Sequence, residues 1–93
     1  MAKRVKIVFF GYAKGTGRRF FIKQKALELG LKGYCTLNSE RRLEVEVEGR
    51  TTAVDEFIVF IKKGVSSQTA SNEFSLEIFK EVKGYTAMES DIV

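Results

Sequence analysis

Gly15, Thr16, Gly17, Arg18 and Arg19 follow one another in the stretch AKGTGRRFF, residues 13–21, directly after an apolar run. Glycine at 15 and 17 removes the Cβ atoms that would block close approach to the main chain. Successive backbone N–H groups, the Thr16 hydroxyl and the forked donors of Arg18 and Arg19 together suit phosphate or carboxylate oxygens. Cations at the start of a helix oppose its dipole, so two arginines there need an anion to account for them. The chemistry open to the rest of the chain is narrow. There is no histidine and one cysteine, Cys35, which removes Ser-His and Cys-His nucleophile schemes, an internal disulfide and the usual zinc sites. A structural zinc is not expected, and Cys35 reads as a small packing residue.

A loop of this kind works only if a strand enters it and a helix leaves it. Val5 to Tyr12, VKIVFFGY, is β-branched and aromatic and reads as the first strand. Ile22, Ala26 and Leu29 then recur at helical spacing from Arg18 onward, and Gly30 stands where a helix terminus wants a left-handed residue. GYCTL reads as a short second strand, NSERR as a turn, and LEVEVE, residues 43–48, alternates with period two as a third strand. Val45 and Val47 would face a core, and Glu44, Glu46 and Glu48 water. Thr52 and Asp55 have capping-box spacing, and Val54, Phe57, Ile58 and Ile61 line one face of a second helix that Gly64 closes. EFSLEIF, residues 73–79, gives a fourth strand. YTAM is a candidate edge strand and ESDIV a frayed end. The order βαββαβ predicts an α+β, ferredoxin-like sandwich: an antiparallel sheet with two helices on one face, built as a single domain over residues 1–93.

The net charge of +4 is unevenly spread. Residues 1–33 hold nine basic side chains against Glu28 alone, and residues 34–93 hold seven basic against eleven acidic ones. A basic half points to an anionic partner. No stretch reaches the roughly 18 apolar residues of a membrane span, and the N-terminal apolar run is too short for a signal peptide, so a cytoplasmic protein without a membrane partner is expected.

Gly11 to Phe20, GYAKGTGRRF, resembles the signature loop of the acylphosphatases, which reads G-x-V-Q-G-V-G-F-R ahead of an aromatic-rich helix. The resemblance continues through Leu29-Gly30-Leu31, Gly33-Tyr34, Glu48-Gly49, Phe57 and Lys63-Gly64, about two-thirds of the chain. It implies a small cofactor-free and metal-free hydrolase that cleaves the carboxyl-phosphate bond of small acyl phosphates, and a monomer is expected. In that family the signature arginine, here Arg19, and the loop amides, here Gly15, Thr16, Gly17, Arg18 and Arg19, hold the phosphoryl group or inorganic phosphate. Such a reaction proceeds by positioning and electrostatic stabilisation, without imidazole.

The family also uses an asparagine at the end of the second strand to position the attacking water. The ungapped match places Leu37 there, with Asn38 one residue later. Either Leu37 has replaced the water-positioning group and the loop binds an anion with little turnover, or a β-bulge re-aims Asn38 into the site. A non-catalytic anion-binding or partner-binding domain is therefore the alternative to a hydrolase. An RNA-binding module of the same element order is disfavoured by Glu44, Glu46 and Glu48, which would repel phosphate from the open sheet face.

Overall fold

The computed structural model describes residues 1–10, 18–40, 42–63 and 74–90. In chain order these form β1 (Ala2–Phe9), α1 (Arg18–Glu28), β2 (Lys32–Leu37), β3 (Leu43–Arg50), α2 (Thr51–Lys63), β4 (Phe74–Phe79) and β5 (Met88–Ser90). The strands make one sheet in the order β4-β1-β3-β2-β5. β1, β2, β3 and β4 pair antiparallel, as the periodicity predicts, whereas β5 runs parallel to β2 and makes the sheet mixed.

Alternation sorts the side chains as expected on the core face. Val5, Ile7 and Phe9 of β1, Cys35 of β2, and Leu43, Val45 and Val47 of β3 join Ile22 and Ala26 of α1 and Val54, Phe57, Ile58 and Ile61 of α2 in one buried cluster. Both helices therefore cover the same face. α1 ends as Gly30 predicts: the Gly30 N–H donates to the Leu27 carbonyl at 3.1 Å and the Leu31 N–H to the Ala26 carbonyl at 2.9 Å, the paired bonds of a Schellman terminus.

Several boundaries move for tertiary reasons. β1 begins at Ala2 instead of Val5, because β3 continues to Arg50 and offers Ala2 and Lys3 partners in Arg50 and Gly49. It ends at Phe9, and Gly11 and Tyr12 lie outside the described residues. α2 starts one residue before Thr52. The Thr51 N–H and hydroxyl both donate to the Met1 carbonyl, at 3.1 and 3.3 Å, and Asp55 pairs with Lys3. The edge strand expected at YTAM forms later, at Met88–Ser90, where Met88 reaches the core and the Gly33 N–H takes the Ala87 carbonyl at 3.0 Å. The expected positions of the Gly64 terminus, the polar loop at 65–72, Glu73 and residues 91–93 lie outside the described residues.

Gly33 marks the closest approach in the sheet. A Cβ placed on it would lie 1.8 Å from the Glu46 carbonyl oxygen, with the backbone at φ +153°. Gly33→Ala is expected to destabilise the fold by about 3 kcal/mol, read from the midpoint of urea unfolding. An unchanged midpoint would mean that β2 and β3 separate there at no cost.

The opposite face of the sheet departs most from expectation. Glu46 is 1% and Glu48 7% exposed, so these glutamates do not point into water. The connection from β4 to β5 joins the two edges of the sheet, and residues 83–85 lie across that face as a strap. The Glu48 carboxylate accepts the backbone N–H groups of Lys83, Gly84 and Tyr85 at 2.6, 2.9 and 3.0 Å. Gly84, at φ +85°, supplies the left-handed turn there. Glu46 accepts the Tyr85 hydroxyl and pairs with Arg4 at 3.3 Å and Lys83 at 3.2 Å. Tyr34, edge-on to Tyr85 at 6.1 Å, donates to Glu44.

Candidate anion site at one end of the sheet

β1 and β2 both run antiparallel to β3, so their C-terminal ends share one end of the sheet. α1 begins at that end and runs back along β2, on which it packs. The segment 11–17, which joins β1 to α1, must therefore start beside Phe10 and finish at Arg18. Gly15, Thr16 and Gly17 lie outside the described residues, as do the side chains of Arg18 and Arg19. The backbone of Arg18 and Arg19 forms the first turn of α1, which has no acidic residue. Its N–H groups have no partner within the helix, and together with the positive dipole end they are an electrostatic setting for an anion.

The same end of the sheet bears on the two asparagine readings. The β2–β3 ladder runs in unbroken register from Lys32 opposite Glu48 to Leu37 opposite Leu43, with no bulge. Leu37 thus shares its face with Gly33 and Cys35, the helix side, and it is 37% exposed. Asn38 is engaged elsewhere. Its side-chain oxygen accepts the N–H groups of Glu40 at 2.9 Å and Arg42 at 3.0 Å, and its own N–H donates to the Arg42 carbonyl. This is the local bonding by which Asn organises tight turns. A bulge that turns Asn38 towards the helix side is not what the chain does.

Arg42 is a residue that sequence reasoning passed over as a turn cation. Its guanidinium lies 5.2 Å from the centre of the Phe10 ring and 3.6 Å from Glu40. The signal available was parity: Phe10 and Arg42 extend the register in which Val8 faces Glu44. Among the described residues no group of three or more Cys, Asp or Glu side chains could hold a metal ion, and no helix is long and apolar enough to cross a membrane.

Burial and partners shape the titration of the strapped face. Burial alone would push the Glu46 carboxyl up, but hydrogen bonds from Tyr85 and Lys83 and the charges of Lys83 and Arg4 outweigh it and hold the group below its ordinary value. Tyr85 is pushed up to about 12 by burial and by its bond to Glu46. Tyr34 rises too, through burial and its bond to Glu44. With these groups under the strap, the face on which an RNA-binding module would stack bases is occupied.

The acylphosphatase family model matches residues 5–86. The chain belongs to the acylphosphatase family. It is 37% identical over 65 residues to an acylphosphatase of Caldanaerobacter subterraneus subsp. tengcongensis, covering 70% of this chain and 72% of that one. It is 43% identical over 54 residues to an acylphosphatase of Thermus thermophilus, covering 58% and 61%. The crystal structure of the Bacillus subtilis acylphosphatase superposes with a TM-score of 0.80 at 24% identity, covering 97% of this chain and 98% of that one, and supports the ferredoxin-like fold. A full-length HypF structure in a phosphate- and nucleotide-bound form matches with a TM-score of 0.83 at 30% identity, over 97% of this chain and 12% of that one. The acylphosphatase match spans the strand-loop-helix unit and the β2 end alike, so the function of the chain is acylphosphatase-like.

Proposed function

We propose that this chain is a single acylphosphatase domain, acting as a cytoplasmic monomer, that binds small acyl phosphates and hydrolyses their carboxyl-phosphate bond slowly. Arg19 and the amides of residues 15–19 hold the phosphoryl group, and no metal, cofactor or nucleic acid takes part. Family membership and the convergence of β1, α1 and β2 at one end of the sheet support the phosphoryl site. The observation that carries slow turnover is Leu37. An apolar side chain occupies the position at which the family aims a carboxamide at water, while the Asn38 oxygen is bound into the turn. A leucine supplies no hydrogen bond to orient a nucleophile, so what remains is electrostatic stabilisation of the phosphoryl group.

The test pairs binding with turnover. Inorganic phosphate is expected to raise the melting temperature of the wild type, and Arg19→Ala to weaken that protection about tenfold in phosphate concentration, as for loss of a charge-assisted hydrogen bond. The wild type should also release phosphate from benzoyl phosphate above the spontaneous rate. Equal protection of both proteins by phosphate would overturn the assignment of Arg19.

A further inference from the structure

We infer that residues 80–90 form a latch: the strap and β5 lift from the sheet together while β1 to β4 and both helices stay folded, and this uncovers the edge of β2 and the Cys35 thiol. Apart from half-buried Tyr85, residues 80–87 are exposed. β5 is three residues long and lies at the edge of the sheet, where it pairs with Gly33, Tyr34 and Cys35 of β2. Among the described residues of this segment, Met88 is the only side chain in the buried cluster, which is otherwise built from β1, β2, β3, the two helices and Leu31. A segment that buries so little apolar surface belongs to the low end of local stability.

What fastens the latch is polar and concentrated. The Glu48 carboxylate takes three consecutive N–H groups, those of Lys83, Gly84 and Tyr85, and Glu46 takes the Tyr85 hydroxyl and the Lys83 ammonium. The Arg4 Nε–H donates to the Glu81 carbonyl at 3.1 Å, and the Gly33 N–H to the Ala87 carbonyl at 3.0 Å. Most of these bonds converge on two alternate residues of β3, so one movement breaks them together. The charges beneath do not oppose it strongly. Glu46 is 1% exposed under the strap, and lifting the strap returns water to Glu46 and Arg4, so the open state strands no unpaired charge in an apolar setting.

β5 carries the motion to the edge of the sheet. It packs against α1 as well as β2, with Met88 opposite Gly33 and Ser90 opposite Cys35. Once β5 withdraws, β2 becomes the edge strand. Cys35, 0% exposed in the closed state, then loses the strand beside it.

The chain has one cysteine, so its reaction with dithionitrobenzoate in native buffer reads the opening. Labelling of the wild type is expected to outrun global unfolding and to depend on urea much more weakly, because a small surface is exposed. Glu48→Gln, which removes the charge from the three-donor contact, should accelerate labelling about tenfold. Tyr85→Phe, which deletes one hydroxyl from the strap, should act in the same direction. Val54→Ala lies in α2, which packs on β1 and β3; it should lower the urea midpoint and leave labelling without urea unchanged. Labelling with the full urea dependence of global unfolding overturns the inference, as does a Val54→Ala protein accelerated as much as Glu48→Gln. Hydrogen exchange gives a second reading. The N–H groups of Lys83, Gly84, Tyr85 and Gly33 should exchange through one opening, ahead of those of β1. A Gly33 N–H as protected as β1 while the strap exchanges would mean that the strap moves without β5, and the latch would be overturned.

Discussion

Leu37→Asn is expected to accelerate benzoyl phosphate hydrolysis roughly 10²-fold over the wild type, the scale on which one well-placed hydrogen-bonding group acts in catalysis. The unbroken register of β2 and β3 aims residue 37 to the helix side, the side on which α1 packs against β2. An asparagine there meets the requirement that the family places on this position, to hold a water against the phosphoryl group. The exchange should cost little stability, because Leu37 is 37% exposed. Two controls separate the explanations. Arg19→Ala in the Leu37→Asn background should lose the gain, since water is useful only against a bound phosphoryl group. Asn38→Ala in the wild type should loosen the 38–42 turn and leave the hydrolysis rate within about twofold, because its removed bonds lie outside the proposed reaction. A Leu37→Asn protein that still binds phosphate but is no faster than the wild type would sink the assignment of slow turnover to Leu37.

Glu46→Gln is expected to lower stability at pH 7 by about 3 kcal/mol, the scale for breaking a buried ion pair from one side. The carboxylate is 1% exposed and pairs with Arg4, itself largely buried, and with Lys83. The amide can still accept from Tyr85 but leaves Arg4 facing a neutral group. The same site sets the acid side of the stability profile. The folded pKa of Glu46 lies below its ordinary 4.5. Between the two values the unfolded chain binds more protons, so the stabilisation is complete above about pH 4.5 and is lost as pH falls through the folded value. Tyr85 works in the opposite sense, since its folded pKa of about 12 exceeds the ordinary 10.0. Its contribution is complete below pH 10 and is lost as pH rises from there to 12. Urea unfolding of wild type and Glu46→Gln across this range should show the acid-side slope reduced in the variant. An identical slope would place its origin in another carboxyl.

The sequence carried the elements whose signals are local. Ile22, Ala26 and Leu29 mark α1 by spacing, Gly30 marks its end, and Val45 and Val47 mark the core face of β3; each depends on neighbours within a few residues. The burial of Glu46 and Glu48 depends on Lys83, Gly84 and Tyr85, more than 30 residues away, so the same alternation that predicted a wet face also fits a covered one. Three glutamates on a central strand are nonetheless a sign that cations or N–H groups must come to them. The choice between Leu37 and Asn38 was equally non-local. Both residues suit the end of a strand, and only pairing with Leu43 and the bonds from Glu40 and Arg42 fix which one turns towards α1. For the residues of the proposed phosphoryl loop, family resemblance remains the main guide.

The carbonyl of Met1 is held by Thr51 at the start of α2, so the beginning of the chain is pinned at the foot of the sheet. β1 then climbs eight residues, about 26 Å at strand rise, before the chain reaches the proposed site. Anything joined ahead of Met1, whether an affinity handle, a surface tether or a preceding domain, would leave from the far pole. Immobilised by that end, the molecule would present the pole of the proposed anion site to the bulk solution.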